Sequence, residues 1–118
     1  MTIRNLFLGA AAAMALALPA LAQQRIPVGH LMDNSGPTSD VGLPYGQGVA
    51  DTLNWVNATR RGVAGRPLAV NGVDYGYQAP RAVSQYQAWS RDWVVAIQGW
   101  GTVDTDALIR FVTRDRTP

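Results

Sequence analysis

Apolar and polar positions fall in blocks along this chain. Short apolar runs at Ile26–Met32, Leu68–Val73 and Trp93–Ile97 are each followed by a loop rich in Gly and polar residues, then by a segment with helical spacing. Runs of this length bounded by turn residues read as buried strands, and their alternation with helical segments predicts a parallel α/β sheet. The first strand is read from Arg25 to about Met32, and Asp33 to Gly42 is a turn-rich loop. A helix is predicted from near Pro44, with Tyr45, Val49, Leu53 or Thr52, and Val56 on one face. It closes near Arg60-Arg61, with Gly62 as its C-cap. The second strand is Leu68 to Asp74, and Pro80 opens a second helix with Val83 and Tyr86 on its buried face. The third strand, Val94 to Ile97, is continuously apolar, which predicts a central place in the sheet. Thr102 or Asp104 caps a third helix whose stripe is Ala107, Leu108, Phe111 and Val112.

The N-terminal block follows another logic. Arg4 gives a positive start, Leu6 to Leu18 is apolar, and Ala20-Leu21-Ala22 is a small-x-small cleavage pattern. Residues Met1–Ala22 therefore read as a secretory signal peptide, with a mature chain beginning at Gln23. With no Cys in the chain, no lipid-bearing cysteine tethers that end, and the expected location is the periplasm. The mature part is enough for one small domain with a thin sheet.

Charge changes the picture little. All 10 basic residues are Arg and all 8 acidic ones are Asp, a formal net charge of +2. The basic residues form no cluster beyond Arg60-Arg61, so nucleic acid is not an expected partner. Catalytic signals are equally sparse. The single His, His30, lies within the first strand, where a structural role is expected. No Ser occupies a G-x-S-x-G elbow, and Gly99-Trp100-Gly101 lacks the third glycine of a dinucleotide loop. No residues have metal-site spacing. No enzyme activity and no cofactor are expected.

Four stretches carry a resemblance. They are Ser35-Gly36-Pro37 with Gly42, Gly48 and Asn57; Gly62-Val63-Ala64-Gly65-Arg66-Pro67-Leu68; Asp74-Tyr75-Gly76-Tyr77 with Pro80-Arg81-Ala82-Val83; and Val94 to Leu108, above all Gly99-Trp100-Gly101-Thr102 and Asp104-Thr105. In this order and spacing, from Arg25 to Pro118, the chain resembles the leucine/isoleucine/valine-binding type of ABC-importer substrate-binding protein. The resemblance implies a type I periplasmic binding fold, in which two α/β lobes close on a ligand. It implies that residues 23–118 are a partial N-terminal ligand-binding lobe, cut before its fourth strand and not binding-competent alone. It also implies capture of a small polar organic ligand, such as an amino acid or amide, and delivery to an inner-membrane ABC permease. Two other readings stay open: the ligand-sensing domain of an exported receptor, and a fragment of an exported α/β hydrolase.

The expected site lies where Asp33–Val41 and Gly99–Thr105 meet. The third helix begins inside the second of these, and its free N–H groups suit a carboxylate. The resemblance makes Thr102, Val103 (through its N–H) and Thr105 the leading ligand-binding residues, with Trp100 as an apolar wall. Capping alone accounts equally for Thr102 and Asp104. Ser35, Asp40 and Val41 border the site from the first loop. Many members of the resembled family carry an aromatic residue near Val41, so valine is a departure that bears on ligand preference. Asp33 is read as a turn former. Tyr75 is expected to line the cleft, and Tyr77 to cover the second helix.

Overall fold

The computed structural model describes residues 24–92 and 94–118. The signal-peptide reading of Met1–Ala22 lies outside them, as does Trp93. The elements are β1 (Ile26–Met32), α1 (Ser39–Arg60), β2 (Leu68–Asp74), α2 (Ala79–Arg91), β3 (Ala96–Gln98) and α3 (Thr102–Asp115). The three strands form one parallel sheet in the order β2-β1-β3. Ile26 is paired with Leu68 and Met32 with Asp74 on one side, and Val28 with Ala96 and His30 with Gln98 on the other. This is the α/β architecture expected from the alternating blocks.

The third strand is not central. β1 holds that place, and β3 is the edge among the described residues, half-buried, with Val95 49 % exposed. An apolar run shows that a strand is covered on its faces. Which strand lies in the middle is set by the crossovers: the chain leaves β1 for β2, then returns across β1 to β3. β3 also starts two residues later than expected, although Val95 N–H already bonds to the Pro27 carbonyl (3.0 Å). On its outer edge, Ile97 N–H bonds to the Pro118 carbonyl (2.9 Å).

Right-handed crossovers in opposite directions put α1 on one face and α2 on the other. α3 packs against α2. Side chains alternate accordingly along β1. Leu31 joins Tyr75, Ala82, Tyr86, Trp89 and Leu108 in the buried core on the α2 and α3 face. Gly29 points the same way, and a Cβ there would lie 2.7 Å from the Trp89 ring, so Gly29 is the seat on which the largest core side chain rests. On the other face, His30 and Met32 meet α1 at Gly46.

α1 differs from expectation in its start and its contact face. It begins at Ser39, not near Pro44, because Val41 and Gly42 N–H groups already bond to the Thr38 carbonyl. Pro44 is accommodated within it, leaving without a donor only the carbonyl of Asp40, an exposed residue. Its buried residues are Gly42 and Gly46, one turn apart, while Val49, Leu53 and Val56 are half-buried. Its lower end is tied to β2 by Asn57, whose side-chain amide donates to the Leu68 carbonyl (2.9 Å) and accepts from Leu68 N–H (2.7 Å). Arg61 takes the left-handed C-cap conformation, and Gly62 follows at φ 79°. Only glycine fits at position 62, since a Cβ would come within 1.9 Å of the Arg66 carbonyl oxygen.

Two glycines give opposite expectations. Gly29→Ala is expected to lower stability by about 1–3 kcal/mol, because the methyl group overlaps the Trp89 ring. Gly48→Ala, in the helix with nothing within 4 Å of the added carbon, is expected to raise it by about 0.5–1 kcal/mol. Urea unfolding of the two variants against the parent protein checks both signs.

Candidate functional site

The loops after β1 and β3 leave the carboxyl edge of the sheet toward opposite faces. That divergence opens the crevice in which doubly wound sheets bind ligands. Each of the three loops at this edge is organised by an aspartate that accepts three hydrogen bonds.

Asp33, fully buried, accepts from Gly36 N–H (2.7 Å), Thr38 N–H (3.0 Å) and the Thr38 hydroxyl (2.6 Å). The turn-former reading of Asp33 is thus what the structure shows. Gly36 is required there, since a Cβ would sit 2.4 Å from the Asp33 carboxylate. Asp74, at the end of β2, accepts from Asn34 N–H (3.0 Å), the Ser35 hydroxyl (2.6 Å) and Gly76 N–H (3.0 Å). Partial burial pushes its carboxyl up in pKa, but these three donors and the Arg81 charge outweigh that and hold it below the usual range. Asp104, 1 % exposed, accepts from Trp100 N–H (2.9 Å), Gly101 N–H (2.8 Å) and the Tyr75 hydroxyl (2.7 Å). Gly99 leaves room for this carboxylate, because a Cβ there would lie 2.5 Å from it.

Asp104 therefore reaches back from the first turn of α3 to the N-cap, which is Gly101 and not Thr102. The first intrahelical bond is Thr105 N–H to the Gly101 carbonyl (3.2 Å). The N–H groups of Thr102, Val103 and Asp104 precede it and have no partner within the helix. The Thr102 hydroxyl lies 3.0 Å from the Tyr77 hydroxyl, and the Thr105 hydroxyl donates to the Gly101 carbonyl (2.7 Å).

The first and third loops are joined directly. The Trp100 indole N–H donates to the Thr38 hydroxyl oxygen (2.9 Å), so a chain of hydrogen bonds runs from Asp33 through Thr38 to Trp100. Trp100, Thr102 and Thr105 line an open pocket of about 440 Å³ together with Tyr45, Gln98, Gly99, Gly101 and Asp106. A larger groove of about 540 Å³ runs along the flank of β3 between Val28, Val49, Leu53 and Ile97. It adjoins the pocket of the loops at Tyr45 and Gln98, which line both.

Of the expected site residues, Trp100, Thr102, Val103 and Thr105 sit together at the start of α3. Asp40 and Val41 are exposed on the first turn of α1, and the Asp40 carboxylate accepts from Val41 N–H (3.1 Å). The Ser35 hydroxyl is taken by Asp74. Tyr75 does not line the pocket at the start of α3. It is fully buried beneath the third loop, and burial together with its bond to Asp104 pushes its hydroxyl well above the ordinary tyrosine pKa. Tyr77 replaces it at the surface, at φ 57°, with its ring against Gly101. Thr38, Tyr45 and Gln98 are site residues the sequence reading did not single out. For Gln98 a signal existed: a polar residue at the carboxyl end of an apolar run.

Residues 25–118 match the family described as Periplasmic binding protein, and the chain belongs to that family. Its fold is shared with solved substrate-binding proteins of ABC transporters. One, from Aeropyrum pernix, is 35% identical, with a TM-score of 0.64 over 78% of this chain and 25% of that one. A fatty acid ABC transporter substrate-binding protein from Thermomonospora curvata is 27% identical, with a TM-score of 0.72 over 80% of this chain and 24% of that one. The branched-chain amino acid transporter substrate binding protein of Streptococcus pneumoniae, solved with isoleucine, is 22% identical, with a TM-score of 0.73 over 80% of this chain and 28% of that one. The chain thus spans about a quarter of the length of each. No curated protein matches it.

Two predictions follow from the buried groups. Asp104→Ala strands three donors beneath the loop and is expected to cost about 2–4 kcal/mol of stability in urea unfolding, against about 1–2 kcal/mol for Tyr75→Phe. His30 is 1 % exposed, and burial lowers its pKa below the ordinary 6.5, with the Gln98 and Gly46 backbone acting in the opposite direction. A base whose folded pKa is lowered takes up its proton on unfolding, so stability is full above pH 6.5 and declines as pH falls below it. As the sole histidine, His30 is expected to account for that slope, and His30→Gln to flatten it in unfolding curves between pH 5 and 7.

Proposed function

We propose that this chain supplies part of the N-terminal lobe of an exported solute-binding protein. That protein captures a small polar organic ligand, such as an amino acid or amide, and delivers it to an inner-membrane ABC permease. The observation that carries the reading is the meeting of the first and third loops at the switch point, bridged by Trp100 and Thr38 beside the open N-terminus of α3. Fixed N–H donors at a helix start suit a carboxylate or amide oxygen. Thr102 and Val103 present them, and Trp100 and Thr105 flank them. Ser35, Asp40 and Val41 border the opening, and Tyr75 acts beneath it as a support.

Family membership and the resemblance of the first residues to a cleavable signal peptide support export to the periplasm. Because the chain spans about a quarter of its relatives, closure over the ligand requires a second lobe, and binding belongs to the intact two-lobed protein. The reading is one of binding and release.

The test is isothermal titration of the intact protein with a panel of amino acids and amides, with and without Thr102→Val. One ligand is expected to bind, and the variant, which keeps the Thr102 N–H but removes its hydroxyl, to weaken it about five-fold, the loss of one hydroxyl hydrogen bond. Unchanged affinity sinks a role for the Thr102 hydroxyl and leaves only its N–H; a panel without any binder sinks the ligand class.

A further inference from the structure

We propose that Tyr45, packed on Trp100, is the specificity-determining residue of this pocket and selects ligands with a planar, apolar body behind their polar head. The proposal rests on the binding reading above and names a ligand subclass for the same site.

The geometry comes from three contacts. The Tyr45 and Trp100 rings lie 4.8 Å apart between centroids, tilted by 48°. The Tyr45 hydroxyl accepts from the Gln98 side-chain amide and points at the Gly99 carbonyl (3.4 Å). The Trp100 indole N–H is spent on Thr38, itself fixed by Asp33. The polar atoms of both rings are therefore engaged by the protein, and what the pair offers the pocket is aromatic surface. Both rings are held before any ligand arrives, so little side-chain freedom is lost on contact.

Placement agrees with this. Tyr45 and Trp100 line the same open pocket as Thr102 and Thr105. A bound molecule with its polar head at the start of α3 would have its body beside the two rings. Tyr45 is 37 % exposed although Gly46, its neighbour, is buried against β1. α1 thus turns this ring toward the pocket, with its buried glycine side on the sheet. Asp106 is the one charged residue of the lining, and an aromatic wall beside it favours a flat, uncharged group over a second carboxylate. Aromatic surfaces prefer planar partners in offset or tilted contact over saturated rings of similar size.

The experiment is calorimetric titration of the intact protein with three probes that share one head group: L-phenylalanine, L-cyclohexylalanine and L-alanine. Phenylalanine is expected to bind about three- to ten-fold more tightly than cyclohexylalanine, with alanine weakest. Tyr45→Leu is expected to bring the first two together and to cost phenylalanine more than alanine. Tyr45→Phe, which keeps the ring, is expected to retain the preference. Equal binding of the two ring-bearing probes by the parent protein overturns the proposal without any variant, as does a preference that survives Tyr45→Leu. Thr102→Val separates the two levels: a uniform loss on all three probes supports the head-group site. No loss removes that site's Thr102 while a Tyr45-dependent preference still upholds the wall. Absence of binding by all three overturns the amino-acid head and the wall together.

Discussion

A carboxylate that accepts two backbone N–H groups and a hydroxyl is the unit on which the carboxyl edge of this sheet depends. Asp33, Asp74 and Asp104 each form one, and each belongs to a different strand–helix connection. A loop has no ladder to satisfy its amides, and a buried amide without a partner costs about 1–3 kcal/mol. An ionised carboxylate meets that need and gains from it, since hydrogen bonds to a charged acceptor are stronger than neutral ones. The glycines follow from the same requirement. Gly36 and Gly99 are the positions where a side chain would occupy the space of the carboxylate.

Sheet order turns these separate loops into one site. With β1 in the middle, the loops that leave it and β3 end side by side, while their helices depart to opposite faces. Trp100 spans the gap and closes on Thr38, whose hydroxyl donates to Asp33 and accepts from the indole. Thr38 can serve both because a hydroxyl has one proton and two lone pairs. The two loops are thereby held together through Thr38, whose carbonyl also accepts the first N–H groups of α1. Beneath them, Tyr75 carries the load of the third loop from inside the fold.

Much of the fold was legible as periodicity. The strands near Ile26 and Leu68 and the helix opening at Pro80 follow from apolar spacing and turn residues. What periodicity does not encode is sheet order: among the described residues β1 holds the centre, and the apolar run ending at Ile97 pairs beside it. The start of α1 is obscured because Pro44 is a strong helix-opening signal, while the N-cap, Thr38, spends its hydroxyl on Asp33 and makes no cap bond. At the site, Thr102 and Thr105 are readable as the types that gather at helix starts. The role of Asp104 was ambiguous between cap and site, and its bond to Tyr75 joins residues 29 apart in sequence that no local pattern relates. Helical spacing puts Tyr45 on one face with Val49 and Val56; the closest approach of α1 to the sheet belongs to Gly42 and Gly46, which leaves the tyrosine at the rim.

The helix start offered to a ligand is not a bare positive end. Asp104 lies within that first turn, and its charge sits under the loop at the point where the α3 dipole is most positive. The two most N-terminal amides, those of Trp100 and Gly101, turn inward to it and are unavailable to a solute. The amides that remain, from Thr102 onward, carry hydrogen-bonding capacity with the dipole already partly compensated. On the proposed reading, such a site discriminates by the direction of its donors and the shape of the wall beside them more than by attraction for negative charge. A neutral amide oxygen meets those donors with a smaller desolvation cost than a carboxylate does. On that same reading, the buried aspartate that ties down the loop also tilts the pocket toward polar ligands of low net charge.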